Sequence, residues 1–95
     1  MEATRIFYDK QILPDGAVIE MVIWRLPKTD AERPHGLKYR LFYGREGVRL
    51  IGYDNERGKG DHRHYGNREE AYLFKTAEIL VADFIHDVKA ARGET

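Results

Sequence analysis

Ala17-Val18-Ile19-Glu20-Met21-Val22-Ile23-Trp24-Arg25-Leu26 holds the longest apolar runs of the chain, and its two-residue period decides the fold. Val18, Val22, Trp24 and Leu26 share one face, while Ala17, Ile19, Met21 and Ile23 share the other, as in a strand covered on both sides. That places it inside a sheet rather than at an edge. Pro14-Asp15-Gly16 precedes it with a proline that sets φ and an Asp-Gly pair suited to chain reversal, so a strand through Ile6 and Tyr8 to Leu13 pairs with it as a hairpin. Downstream, Pro27 to Gly36 is polar or helix-breaking and reads as a surface loop that puts His35 in a turn. Leu37, Tyr39, Leu41 and Tyr43 then alternate with Lys38 and Arg40, Gly44-Arg45-Glu46-Gly47 closes a short turn, and Val48 to Tyr53 returns.

The C-terminal end changes period. Ala77, Leu80, Val81, Phe84 and Val88 recur at helical spacing, with Asp83, Asp87, Lys89 and Arg92 opposite; Thr76 is the N-cap and Glu78 sits in the first turn. Tyr72-Leu73-Phe74 is read as a short last strand. The expected architecture is α+β: an antiparallel meander of four to five strands with a C-terminal amphipathic helix packed on one face. One helix covers one face only, so a homodimer that buries the other face through Ala17, Ile19, Met21 and Ile23 is a natural expectation.

Ninety-five residues suffice for one domain, spanning 1–95, since a chain of this size buries roughly 60 to 68% of its extended surface. The chain has no cysteine, which excludes a disulfide framework, a thiolate metal site and a cysteine nucleophile. Its apolar runs fall short of a membrane span and Met1 to Lys10 has no apolar centre, so a cytoplasmic location is expected. Sixteen Lys and Arg balance sixteen Asp and Glu. A polyanion must therefore be held by a local patch, not by the field of the whole molecule.

Chemistry concentrates in Tyr53-Asp54-Asn55-Glu56-Arg57-Gly58-Lys59-Gly60-Asp61-His62-Arg63-His64-Tyr65, where the periodicity stops. On extended backbone the spacing of His62 and His64 sends both imidazoles to one face and Arg63 to the other. The pair could act as general base and acid on an RNA 2'-hydroxyl and its leaving 5'-oxygen, with Lys59 and Arg57 stabilising phosphate and Arg63, Tyr53 and Tyr65 binding substrate. Alternatively His62 and His64 with Asp61 or Asp54 form a nitrogen and oxygen ligand set for zinc, manganese or iron. A third reading is a phosphate grip without reaction, and the plainest is a solvated glycine-rich loop. Gly58-x-Gly60 is neither a Rossmann nor a Walker loop, since no helical run or Gly-Lys-Ser/Thr ending follows. Trp24, Phe42, Tyr39 and Tyr43 offer rings for base stacking or for the core. Glu20 interrupts the apolar run of the second strand and is read either at its edge or paired with Arg40.

The segments Leu13-Pro14-Asp15-Gly16-Ala17, Glu20-Met21-Val22-Ile23-Trp24-Arg25-Leu26-Pro27, Lys38-Tyr39-Arg40-Leu41, Tyr53 to His64 and the closing Ala82-Asp83-Phe84 resemble the TumE-like family. The Gly-Lys-Gly-Asp-His-Arg-His run is the most specific part, and the resemblance extends over nearly the whole chain. It implies a toxin of a toxin–antitoxin pair, with a helix-turn-helix antitoxin as partner. By analogy with other small toxins it implies action on RNA, but it transfers no catalytic residue. The residue assignments therefore rest on the chemistry above. Combined, the readings lead to a metal-independent endoribonuclease with no cofactor, catalytic residues His62, His64 and Lys59, and no membrane partner. The alternatives are a non-catalytic binding or regulatory module and a metal-dependent nuclease using Asp61, His62 and His64.

Overall fold

The computed structural model describes residues 2–56, 58 and 60–94, so Arg57 and Lys59 lie outside the described residues. Six antiparallel strands, β1 (Thr4–Ile12), β2 (Val18–Arg25), β3 (Leu37–Arg45), β4 (Val48–Asp54), β5 (His62–Tyr65) and β6 (Arg68–Ala71), lie side by side in chain order, followed by α1 (Ala77–Ala91). The meander and its C-terminal helix are as expected, with one strand more. The extra hairpin, β5–β6, falls in the glycine-rich segment, whereas Tyr72 to Phe74, expected as a strand, lies outside the sheet. Gly66-Asn67 makes the hairpin turn, with Gly66 at φ 60, where a left-handed first turn residue favours glycine.

Alternation assigns the two faces. Ile19, Met21 and Ile23 on β2, Tyr39, Leu41 and Tyr43 on β3 and Ile51 and Tyr53 on β4 form one apolar layer. Leu80, Phe84 and Val88, one helical turn apart, bury their side chains against it. The face expected to support a dimer is thus the one under α1. Helix start and stop follow the sequence: Thr76 Oγ1 accepts from Ile79 N at 3.1 Å, Glu78 lies in the first turn and Lys89 in the last.

Asp83 and Asp87, expected on the solvent side, turn instead to the sheet. Asp83 accepts from the Tyr72 hydroxyl at 2.7 Å. Asp87 accepts from the hydroxyls of Tyr65, at 2.8 Å, and of Tyr53. Tyrosines buried in the layer need acceptors, and two carboxylates spaced i, i+4 supply them. At the C-terminal end Arg92 donates to Asp15 Oδ2 at 3.1 Å and to the Tyr43 hydroxyl at 3.2 Å, tying the helix to the β1–β2 turn. That turn uses Gly16 at φ 86, and Asp15 Oδ1 accepts from Ala17 N at 3.0 Å. Among the described residues no helix is long and apolar enough to cross a membrane.

Phe84 is fully buried and meets Tyr53 edge-on at 5.8 Å between ring centroids. Phe84→Ala should cost about 3–5 kcal/mol, read by urea unfolding; a loss below about 1 kcal/mol would contradict this packing. Burial, reinforced by bonds to Asp61, Asp87 and Asp83, raises the hydroxyl pKa values of Tyr39, Tyr53 and Tyr72 above the ordinary 10.0. Groups whose pKa is raised by folding stabilise the fold below their unfolded pKa, and that contribution is lost as pH rises through it. Tyrosinate absorbance from these rings and loss of circular dichroism should therefore appear as one transition above pH about 10. Their ionisation in a protein that keeps its fold would refute the assignment.

Candidate functional site

β5 is only four residues long, His62-Arg63-His64-Tyr65, and its alternation splits the sequence-predicted site in two. His62 pairs with Asp54 and His64 with Gly52 across β4, and this row of side chains points away from α1. Arg63 and Tyr65 point under the helix. There the Arg63 guanidinium lies 5.9, 5.3 and 5.7 Å from the ring centroids of Tyr53, Tyr65 and Tyr72. It donates to the Tyr53 hydroxyl at 3.2 Å and approaches Glu70 at 3.7 Å. The structure thus gathers Arg63, Tyr53 and Tyr65 into a cage beneath α1, apart from the two histidines.

Asp61 is also placed elsewhere. Its carboxylate accepts from the Tyr39 hydroxyl at 2.7 Å and from Asn55 Nδ2 at 3.3 Å, and both oxygens lie 3.1 Å from His35 Nε2. His35 Nδ1 accepts from Leu37 N at 3.1 Å, so Nε2 carries the proton given to Asp61. His35, expected as a plain surface residue, is therefore a half-buried part of this lock, stacked on Phe74 at 3.9 Å. Asn55, fully buried, accepts from Tyr39 N at 3.0 Å and donates to Leu37 O at 2.8 Å. Its amide continues the β3 ladder where the β4 backbone has left it, and so anchors the loop that leads to β5.

The open-face cluster has Asp54, not Asp61, as its carboxylate. His62 and His64 side chains are 7% and 10% exposed, and their rings stand edge-on with centroids 4.9 Å apart. His62 Nε2 lies 2.5 Å and His64 Nε2 3.6 Å from Asp54 Oδ1. These three donor atoms all lie within 4.8 Å of one another. Asp54 Oδ1 is sealed from solvent and, despite the short approach of His62, receives no hydrogen bond of proper direction from the described residues. His62 Nδ1 lies 3.0 Å from Gly60 O, an acceptor only, so Nδ1 holds a proton and Nε2 faces the carboxylate. Glu69, which the sequence reading did not single out, pairs with His64 across β6; its Oε2 lies 3.5 Å from His62 Nε2 and 3.4 Å from His64 Nε2. Counting back from a two-residue Gly66-Asn67 turn would have found it.

Around the cluster the open face is basic and aromatic. The register brings Arg5, Lys10, Lys38 and Arg40 to it, with Tyr8, Trp24 and Phe42, while Glu20 and Asp54 supply acid. Lys38 lies 5.2 Å from the Trp24 ring and Arg40 5.6 Å from the Phe42 ring. Tyr39 and Tyr43, by contrast, are core. Of the two placements read for Glu20, the structure has the pair with Arg40, at 3.7 Å. Gly52, opposite His64, leaves room for Arg49, whose Cδ would lie 2.6 Å from a Cβ placed there.

The family model described as Toxin TumE matches residues 2–92. The chain belongs to the TumE toxin family. No curated protein and no solved structure matches it. The TumE match takes in every residue of the open-face cluster and of the tyrosine cage.

Burial first, and then the nearby Arg49 charge, lowers the pKa of His64 below its ordinary 6.5. NMR titration should find His64 less protonated than a solvent histidine at the same pH, and Arg49→Gln should raise its midpoint. An ordinary midpoint that ignores Arg49→Gln would contradict the geometry around Gly52.

Proposed function

We propose that this TumE-family toxin acts on RNA, and that it cleaves RNA on the open face of the sheet at Asp54, His62 and His64. The carrying observation is that these chemically competent groups converge at one end of a face that otherwise displays cations and flat rings. In a chain of net charge zero, holding a polyanion demands such a local arrangement. Lys38, Arg40 and Arg49 are placed to meet phosphates, and Trp24 and Phe42 to stack bases of an unpaired strand. Arg57 and Lys59, close before His62 in the sequence, are assigned to phosphate as well. His62 and His64 are the groups on which the reaction depends, and His62 acts through Nε2 because Gly60 holds its other nitrogen. Membership of a toxin family brings an antitoxin as the expected partner, and a helix-turn-helix protein is the type proposed.

Inducing the wild type in bacteria should arrest growth and produce new RNA ends, whereas a His62→Ala/His64→Ala variant at equal soluble amount should do neither. With purified protein, Arg40→Gln should lower the salt dependence of single-stranded RNA binding by about one unit of slope, and Trp24→Ala should weaken binding by about 1–3 kcal/mol. Arrest that persists in the double variant, from a protein that neither binds nor cuts RNA, would overturn the proposal in favour of a toxin that works by binding a protein.

A further inference from the structure

We infer that Asp54 Oδ1, His62 Nε2 and His64 Nε2 are ligands of a divalent transition-metal ion of the zinc class, with Glu69 at the rim of the fourth position. The inference rests on reading the same cluster as the reactive centre, and it supplies that centre with a cofactor. A general base on the 2'-hydroxyl and a general acid on the leaving 5'-oxygen call for imidazole nitrogens on opposite sides of a phosphate. Here both Nε2 atoms approach one carboxylate oxygen instead.

The donor atoms argue for a cation in three ways. First, Gly60 O fixes the proton of His62 on Nδ1, so a neutral His62 presents a lone pair to Asp54. A lone pair 2.5 Å from an anionic oxygen is repulsive, so a positive centre, either a proton on Nε2 or a metal ion, must lie between them. A ring nitrogen held by a backbone carbonyl is also the usual support of a metal-bound histidine. Second, Asp54 Oδ1 is buried without a hydrogen-bond donor among the described residues, and a metal would satisfy it. Third, the spacing suits tetrahedral coordination. Metal bonds of about 2.0–2.2 Å place tetrahedral ligand atoms about 3.4 Å apart. The separations are 3.6 Å for His64 to Asp54, 3.5 Å for His62 to Glu69 and 3.4 Å for His64 to Glu69. The His62 to Asp54 separation, 2.5 Å, must open on binding. Two imidazoles and one carboxylate with an open position match the donor set of hydrolytic zinc sites. Magnesium, which prefers oxygen and octahedral geometry, fits poorly.

Untagged, chelator-treated protein should bind about one Zn2+ per chain by calorimetry without RNA present, and Mg2+ should not compete. Co2+ should give the visible absorption bands of tetrahedral coordination. His62→Ala, His64→Ala and Asp54→Asn should each lower zinc affinity by more than about tenfold, and His86→Ala, on the exposed side of α1, should leave it unchanged. Because a variant can lose its fold, the wild type carries an independent test: zinc should shift the imidazole resonances of His62 and His64 and leave those of His35 and His86 in place. Zinc that fails to bind, or that perturbs other histidines, would overturn the inference. Either result is separate from RNA binding by the Arg40 and Trp24 variants, so loss of the metal site and loss of the RNA reading are distinguishable.

Discussion

The register of β5 against β4 is the constraint on which the molecule depends. Asp54 opposite His62 and Gly52 opposite His64 put the imidazoles on one face and Arg63 and Tyr65 on the other. A slip of one residue would exchange the two sets. It would bury the histidines under the helix and expose the caged arginine. Three contacts hold the register from different directions. Asn55 fastens the β4 end to the β3 backbone, Gly66 N donates to Leu50 O at 2.9 Å, and Asp87 accepts from tyrosines on both β4 and β5. A single helical carboxylate thus spans the two strands whose alignment makes the cluster.

The two faces then divide the work. Under α1 most polar groups are paired: tyrosine hydroxyls donate to aspartates, and the Arg63 guanidinium lies among rings, donates to Tyr53 and sits beside Glu70. Its Nε is buried without a partner among the described residues. On the open face the Asp54 oxygen lacks a donor among the described residues, and cations lie over half-buried rings. Burying a polar atom without a partner costs stability, and such a cost is characteristic of sites that bind or react. The face under α1 therefore holds the fold, and the open face carries the imidazoles, the rings and the exposed cations.

Much of this was legible from the sequence because alternation in β2 and β3 and helical spacing in α1 are strong patterns written in large apolar residues. β5 and β6 were not legible. His62-Arg63-His64-Tyr65 and Arg68-Glu69-Glu70-Ala71 have no apolar stripe, and they are strands because each pairs with an earlier strand. Tyr72-Leu73-Phe74 had a strand's composition yet packs as a connection, with Tyr72 buried and Phe74 stacked on His35. Asp83 and Asp87 looked like solvent residues because charge normally is; their inward turn follows from tyrosine hydroxyls that only the assembled layer brings near. The shared face of His62 and His64 followed from spacing alone, whereas the choice of Asp54 over Asp61 required the register.

β6 is four exposed residues long, has one neighbour, and ends the sheet with a free edge lined by Arg68, Glu69 and Glu70. Charges along an edge discourage another chain from adding a strand. The cluster therefore has walls of unequal stiffness: β4, held on both sides, carries Asp54, while β6, held on one, carries Glu69. An edge strand opens more readily than an interior one. For the proposed ligand the fixed wall would set where it sits, and the yielding wall how it enters and leaves.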